Sequence, residues 1–118
     1  MKGALGLIET IGLTAAAAAL DEALDTAEVT FVGSEKIIGA GKCVSVTVHL
    51  AGDVAAVQAA VEAGREAAER VGTVLAAQVI PRPHEDVDKL VERFQKQKPV
   101  AKKAPKKESS KDEANKEA

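Results

Sequence analysis

Residues 44–50 constrain this chain most. Val44, Val46, Val48 and Leu50 alternate with Ser45, Thr47 and His49, and a period of two puts apolar side chains on one face of an extended strand and polar ones on the other. A helix would scatter the same residues around its axis. Just upstream, Val29, Thr30, Phe31 and Val32 are β-branched or aromatic, which suits a second strand, so the two are expected to meet as a hairpin-like pair connected through residues 34–42. That connection is longer than a tight turn needs. Gly39 and Gly41 lie at alternate positions in it, and glycines let backbone amides face solvent or a ligand without a Cβ in the way. The connection is therefore the first candidate for function.

The rest of the chain supplies partners for this pair. Residues 4–9 are short and apolar and contain Gly6, as a buried strand does where another segment comes close. After Gly12, Thr14 is a candidate cap for an alanine-rich helix with Leu20 and Leu24 on one face. Gly52 ends the sheet segment, and Asp53 is placed to cap a helix to about Val71 whose stripe is Val54, Val57, Val61, Gly64, Ala68 and Val71. Gly64, which costs about 1 kcal/mol in a helix relative to Ala, implies close packing there, expected against a strand. A last strand over residues 74–80 leads to Pro81, Arg82, Pro83 and His84, a stiff link that holds out a guanidinium as an interface anchor does. Val87, Leu90, Val91 and Phe94 then share one face of a terminal helix. The order β-α-β-β-α-β-α predicts an α+β chain: a ferredoxin-like four-stranded antiparallel sheet with two helices on one face, plus the terminal helix.

Charge divides the chain. The last 23 residues hold eight lysines and four acids, so a body near −6 over residues 1–95 carries a Lys-rich tail near +4 over residues 96–118. With Val100 and a few alanines as its apolar content, the tail cannot bury enough surface to offset its ordering entropy and is expected to be disordered. The body is one domain, small enough that self-association would add to its stability. A single cysteine, Cys43, excludes an intrachain disulfide and fits a reducing compartment. No run approaches the roughly 20 apolar residues of a membrane span, and residues 1–20 do not read as a signal peptide. A cytoplasmic location is expected.

Catalytic and metal chemistry finds little support. His49, His84 and Cys43 are far apart in sequence and have no zinc-ligand spacing, and no pair of acids stands out from ordinary helix surface. His49 falls on the polar side of its strand, as a surface or interface histidine; His84 reads as an N-terminal helix residue, and Cys43 as a small, partly buried side chain. Gly39, Ala40 and Gly41 lack the third glycine and following helix of a dinucleotide site and the Lys-Ser/Thr of a P-loop. No cofactor is expected. In the tail, acids interrupt the lysines and no aromatic offers base stacking, which favours a solvated segment over a nucleic-acid arm.

Several separate stretches, in one order over about residues 3–92, resemble a known family: ALGLIET at 4–10, Gly12-Leu13, Val32-Gly33, Glu35-Lys36-Ile37, Gly52-Asp53-Val54 and VIPRPH at 79–84. They are similar to the hexamer-forming, single-domain shell proteins of bacterial microcompartments. The resemblance implies a permuted-looking relative of the ferredoxin-like fold that forms flat six-fold hexamers, which tile into a sheet around encapsulated enzymes. It implies a pore at Ile37, Ile38, Gly39, Ala40, Gly41 and Lys42, and a hexamer edge at Asp25, Arg82, Pro83 and His84. The chain departs from the family's pattern in places. An extra isoleucine precedes Gly39, Ala40 stands for a serine, Asp25 stands where relatives carry an edge lysine, a few residues are added between Lys42 and Gly52, and the basic tail is extra.

The reading that follows is a structural shell protein and not an enzyme. Its expected partners are its own copies in a homo-hexamer, other shell proteins, encapsulated enzymes and small metabolites crossing the pore, with no membrane and no nucleic acid. The rival reading is a ligand-binding regulatory domain of ferredoxin-like fold; a basic-tailed nucleic-acid binder comes third.

Overall fold

Strand β1, Ala4–Ile11, lies inside the sheet, between β3, Val44–Gly52, and β4, Val74–Ile80, while β2, Thr30–Ile38, pairs with the far side of β3. Every pairing is antiparallel and the strand order is β2-β3-β1-β4, the ferredoxin-like order expected from the sequence. The computed structural model describes residues 3–39 and 43–93. The tail and the boundary between residues 95 and 96 lie outside them, as does Phe94.

Two helices cover one face: α1, Leu13–Thr26, and α2, Val54–Val71. Ala4, Ile8, Val46, Val48 and Leu50 meet Ala15, Ala16, Ala19, Ala23, Val57, Ala60 and Val61 in the main core. The helices approach closely because their contact is made of small residues. A Cβ on Gly64 would lie 2.8 Å from the carbonyl oxygen of Ala19 and 2.9 Å from Ile8 Cδ1, so Gly64 serves the α1–α2 contact as well as the expected strand contact. At Gly6 a Cβ would meet Val61 and Val57 side chains at 2.7 and 2.8 Å.

Residues 85–93 form α3, and it packs elsewhere. Val91 joins Leu5 and Val32, with Leu7, Ala51, Ile80 and Val87 around them, in a second core cluster. Leu5, Leu7 and Ala51 occupy the register positions that alternate with Ala4, Ile8 and Leu50, so α3 lies on the sheet face opposite α1 and α2. The sheet is covered on both sides at that place.

Local expectations changed in four respects. The N-cap of α1 is Gly12, at φ 90° and ψ 158°, with no side-chain cap, so Thr14 lies within the first turn. Alanines form the buried face of α1, and Leu24 is exposed, because only small side chains fit under a helix this close to its neighbours. Asp53 is the N-cap of α2, yet it accepts from Val57 N–H at 2.8 Å through its main-chain carbonyl and not through its side chain. Val54 and Val71, at the two ends of the α2 stripe, are exposed, and Ala60 and Ala67 are buried in the middle.

Candidate functional site

The hairpin is more strand and less loop than its sequence suggests. Ser34, Glu35, Lys36, Ile37 and Ile38 pair in register with Val48, Thr47, Val46, Ser45 and Val44. Polar residues are tolerated there because β2 is an edge strand whose face is partly open to water. Beyond the ladder, Gly39 N–H donates to the Cys43 carbonyl at 2.8 Å. Of the candidate pore residues, Ile37, Ile38 and Gly39 are thereby placed at the hairpin tip; Ala40, Gly41 and Lys42 lie outside the described residues.

Adjacent strand residues point to opposite faces. Ile38 pairs with Val44, which shares its face with buried Val46, whereas Ile37 pairs with Ser45 on the face away from α1 and α2. Ile38 is 73% and Ile37 50% exposed, an apolar pair at the end of an edge strand. Ser45 Oγ donates to Glu9 Oε2 across the strands, which ties β3 to β1 next to Ile37. Cys43 is exposed, not partly buried, since it precedes the ladder.

The candidate edge residues lie at the other end of the sheet. There Ala4 pairs with Gly52, Leu5 with Ile80 and Thr30 with Ala51, while Ile11 with Ser45 and Ile38 with Val44 mark the hairpin end. The eight residues of β1 span roughly 25 Å between these ends. Asp25 is exposed in the last turn of α1, just before the return into β2 at the Gly52 end. Arg82 is exposed immediately after β4 leaves the same end, between exposed Pro81 and half-buried Pro83.

His84 has a local role. Its carbonyl accepts from Val87 N–H at 2.8 Å and its Nδ1 accepts from Asp86 N–H at 3.0 Å, so His84 caps α3, with Asp86 Oδ2 3.6 Å from the same nitrogen. His49 departs from the sequence reading. It is 4% exposed, because the polar side of β3 turns toward the face that α3 covers. Burial lowers its pKa, the desolvation of a charged ring outweighing the opposite pull of the Glu35 carboxylate.

Both flanks of the domain carry exposed apolar side chains, and the groove between α2 and β4 is lined also by Gln58, Glu62, Arg65 and Gln78. Between α1 and the β2–β3 pair, Leu13, Ala17, Leu20, Phe31, Val46 and Val48 line most of a groove of about 210 Å³. At the opposite sheet edge, Val71 of α2 and Leu75 of β4 are exposed. The sequence had pointed to the hairpin and to Arg82 but not to these flanks, whose signal is the isolated Leu13 before a run of alanines. Among the described residues no group of three or more His, Cys, Asp or Glu is placed to hold a metal, and no helix is long and apolar enough to cross a membrane.

The strand order and the helices on both sheet faces define a small α+β domain of ferredoxin-like topology. Residues 4–83 match the model of the BMC domain. The chain is 54% identical over 88 residues, 75% of its length and 90% of the relative's, to the bacterial microcompartment shell protein PduA of Citrobacter freundii. It is 50% identical over 90 residues, 75% of its length and 84% of the relative's, to the carboxysome shell protein CcmK2 of Synechocystis. Among solved structures, a microcompartment protein from Desulfitobacterium hafniense superposes with a TM-score of 0.54 at 30% identity, over 71% of this chain and 43% of that one. The chain belongs to the BMC-domain family of bacterial microcompartment shell proteins.

Proposed function

We propose that the chain is a structural, non-catalytic shell protein whose cyclic hexamers tile into the facets of a bacterial microcompartment, with residues 37–42 around a central pore for small metabolites. The observation that carries the reading is the separation of the candidate residues. Ile37, Ile38 and Gly39, the described residues among those assigned to the pore, sit at one end of the sheet and Asp25 and Arg82 at the other, roughly 25 Å away. A wedge with one end at a rotation axis and the other at a ring's perimeter requires that division. The flanks support it: an apolar groove on the β2 side and exposed Val71 and Leu75 on the β4 side fit a head-to-tail contact, which closes into a ring when the rotation allows.

In such a ring the hairpin repeats every group six times. Because Ile37 and Ile38 face opposite sides of the sheet, one isoleucine would line each side of the opening, and the ring would be more apolar than a serine-bearing one. Backbone amides at Ala40 and Gly41 would supply donors for a polar or anionic metabolite, the Gly39 amide being held by the Cys43 carbonyl. At the perimeter, Arg82 would reach carbonyls or a carboxylate of the next hexamer, with its flanking prolines limiting the entropy lost on fixing it. Other shell proteins would meet the same edge, and encapsulated enzymes the inner surface.

Electron microscopy of the purified full chain and of Arg82→Ala tests the assignment. Extended sheets from the wild type and isolated rings from the variant are expected. Normal sheets from Arg82→Ala remove Arg82 from the edge, and discrete dimers or trimers from the wild type, stabilised by a small ligand, favour the regulatory-domain reading.

A further inference from the structure

The end of α1 breaks two local rules at once. Residues 3–35 contain no lysine, arginine or histidine, while Asp21, Glu22, Asp25 and Glu28 follow one another over the second half of α1 and just past its end. Asp21 and Asp25 are four residues apart, a spacing at which like charges on a helix repel, and the last turn holds no basic residue although the negative end of the helix dipole lies there. Residues 24–29 line a mostly polar pocket of about 300 Å³ at this place. We propose that the pocket is a socket for the Arg82 guanidinium of a second copy of the chain, and that the contact is reciprocal.

The chemistry of the socket suits a guanidinium. The last carbonyls of a helix have no partner within it, and the same stretch brings the carboxylates of Asp25 and Glu28, both exposed. Arginine offers five N–H donors in a fixed fork, stays charged at any ordinary pH and is more weakly hydrated than an ammonium, so it can bond a carboxylate and a carbonyl together. The chain does not use these groups on itself: among the described residues, no ion pair involves Arg82, Asp25 or Glu28.

The sheet register explains why, and why a second copy can. Thr30, Ala51, Leu5 and Ile80 form one row across the four strands, so the two ends of the row are three strand spacings, or roughly 14 Å, apart. Glu28 lies two residues before one end and Arg82 two residues after the other. Socket and arginine thus sit at the same end of the sheet but on opposite sides of it, and a second copy related by a half-turn brings each arginine opposite the other's socket. Two pairs form at once, as in any self-complementary contact about a two-fold axis. Pro81 and Pro83 fix the backbone on either side of Arg82, which limits what its ordering costs. One exposed ion pair contributes little; two at every contact, repeated along every edge of a ring, add through multivalency. The inference rests on the proposed placement of Arg82 at the perimeter of a ring, and adds what Arg82 binds there.

Two full-chain variants test it, Arg82→Glu and Asp25→Arg with Glu28→Arg, each purified separately and checked by gel filtration for intact rings. Each variant sets like charges against each other on both sides of the contact, so neither alone should give sheets in electron micrographs. Mixed in equal amounts, the new carboxylate of one variant faces the new guanidinium groups of the other, and the untouched Arg82 faces the untouched carboxylates, so sheets should return. Asp25→Arg alone replaces the double reversal if the latter does not form rings. Sheets from the Asp25 and Glu28 variant by itself, or none from the mixture, overturn the socket while wild-type sheets still uphold the ring reading. Sheets from Arg82→Glu by itself, or none from the wild type, overturn the placement of Arg82 and the socket with it.

Discussion

Replacing Gly64 by alanine sets two known effects against each other. In an exposed helix interior the change would stabilise α2 by about 1 kcal/mol, since alanine loses less backbone entropy. Here the new methyl would lie 2.8 Å from the Ala19 carbonyl oxygen and 2.9 Å from Ile8 Cδ1. Ile8 Cδ1 is the end of a flexible side chain and can turn away; the Ala19 oxygen belongs to the backbone of α1 and moves only with that helix. Ordinary contact needs at least about half an ångström more, and the α1–α2 seam of Ala15, Ala16, Ala19, Ala60 and Ala68 has no long side chains to absorb the shift. Overpacking of this kind costs about 1–3 kcal/mol, so the net effect is a loss of about 1 kcal/mol. For a domain of this size that lowers the thermal midpoint by roughly 5 °C. Circular dichroism melts of wild type and Gly64→Ala at matched concentration and oligomeric state measure it. A midpoint raised by a similar amount would mean that the helices separate freely, and the close-seam account would be wrong.

Other outcomes follow from single features. Gly12→Ala should cost about 1–3 kcal/mol through backbone conformation alone, because φ 90° and ψ 158° exclude a side chain while nothing lies within 4 Å of the added Cβ; Gly12→Ser should lose the same amount in denaturant titrations. Deleting residues 98–118 should leave oligomers and sheets intact by gel filtration and microscopy, and limited proteolysis should remove that segment first; dissolved oligomers would make it part of the interface. Ala40→Asp places six like charges around the proposed axis, so it should weaken the ring or slow anion uptake by intact compartments; a variant unchanged in both respects takes Ala40 away from the pore.

Much of the architecture was legible because strong periodicity leaves few options. The alternation from Val44 to Leu50 gave β3 its core face, and the spacing of Val57, Val61, Gly64 and Ala68 gave α2 its buried stripe. Where the pattern was flat it misled. Five consecutive alanines give α1 no contrast between faces, so Leu20 and Leu24 drew attention although packing against α2 selects the smallest side chains. Ser34, Glu35 and Lys36 read as loop because they are polar, yet an edge strand accommodates them. His49 was placed at the surface or an interface by the same alternation that identified its strand correctly. The rule assigns faces, but whether the second face is wet depends on a helix some 40 residues later in the chain, and α3 makes it a second core. The hairpin and Arg82 stood out through glycines and prolines, which are local signals. The apolar flanks and the division of candidate residues between the two ends of the sheet exist only in the folded register.

The central claim is that the hairpin tip lies on the axis of a six-fold ring. Cys43 is the single cysteine, exposed and hydrogen-bonded through its carbonyl to Gly39 at the tip, so a small maleimide-linked gold label reports the position of the tip directly. Averaged electron micrographs of rings or sheets carrying the label should show six-fold particles with label density concentrated at the centre; label density around the perimeter, or particles without six-fold symmetry, would contradict the account.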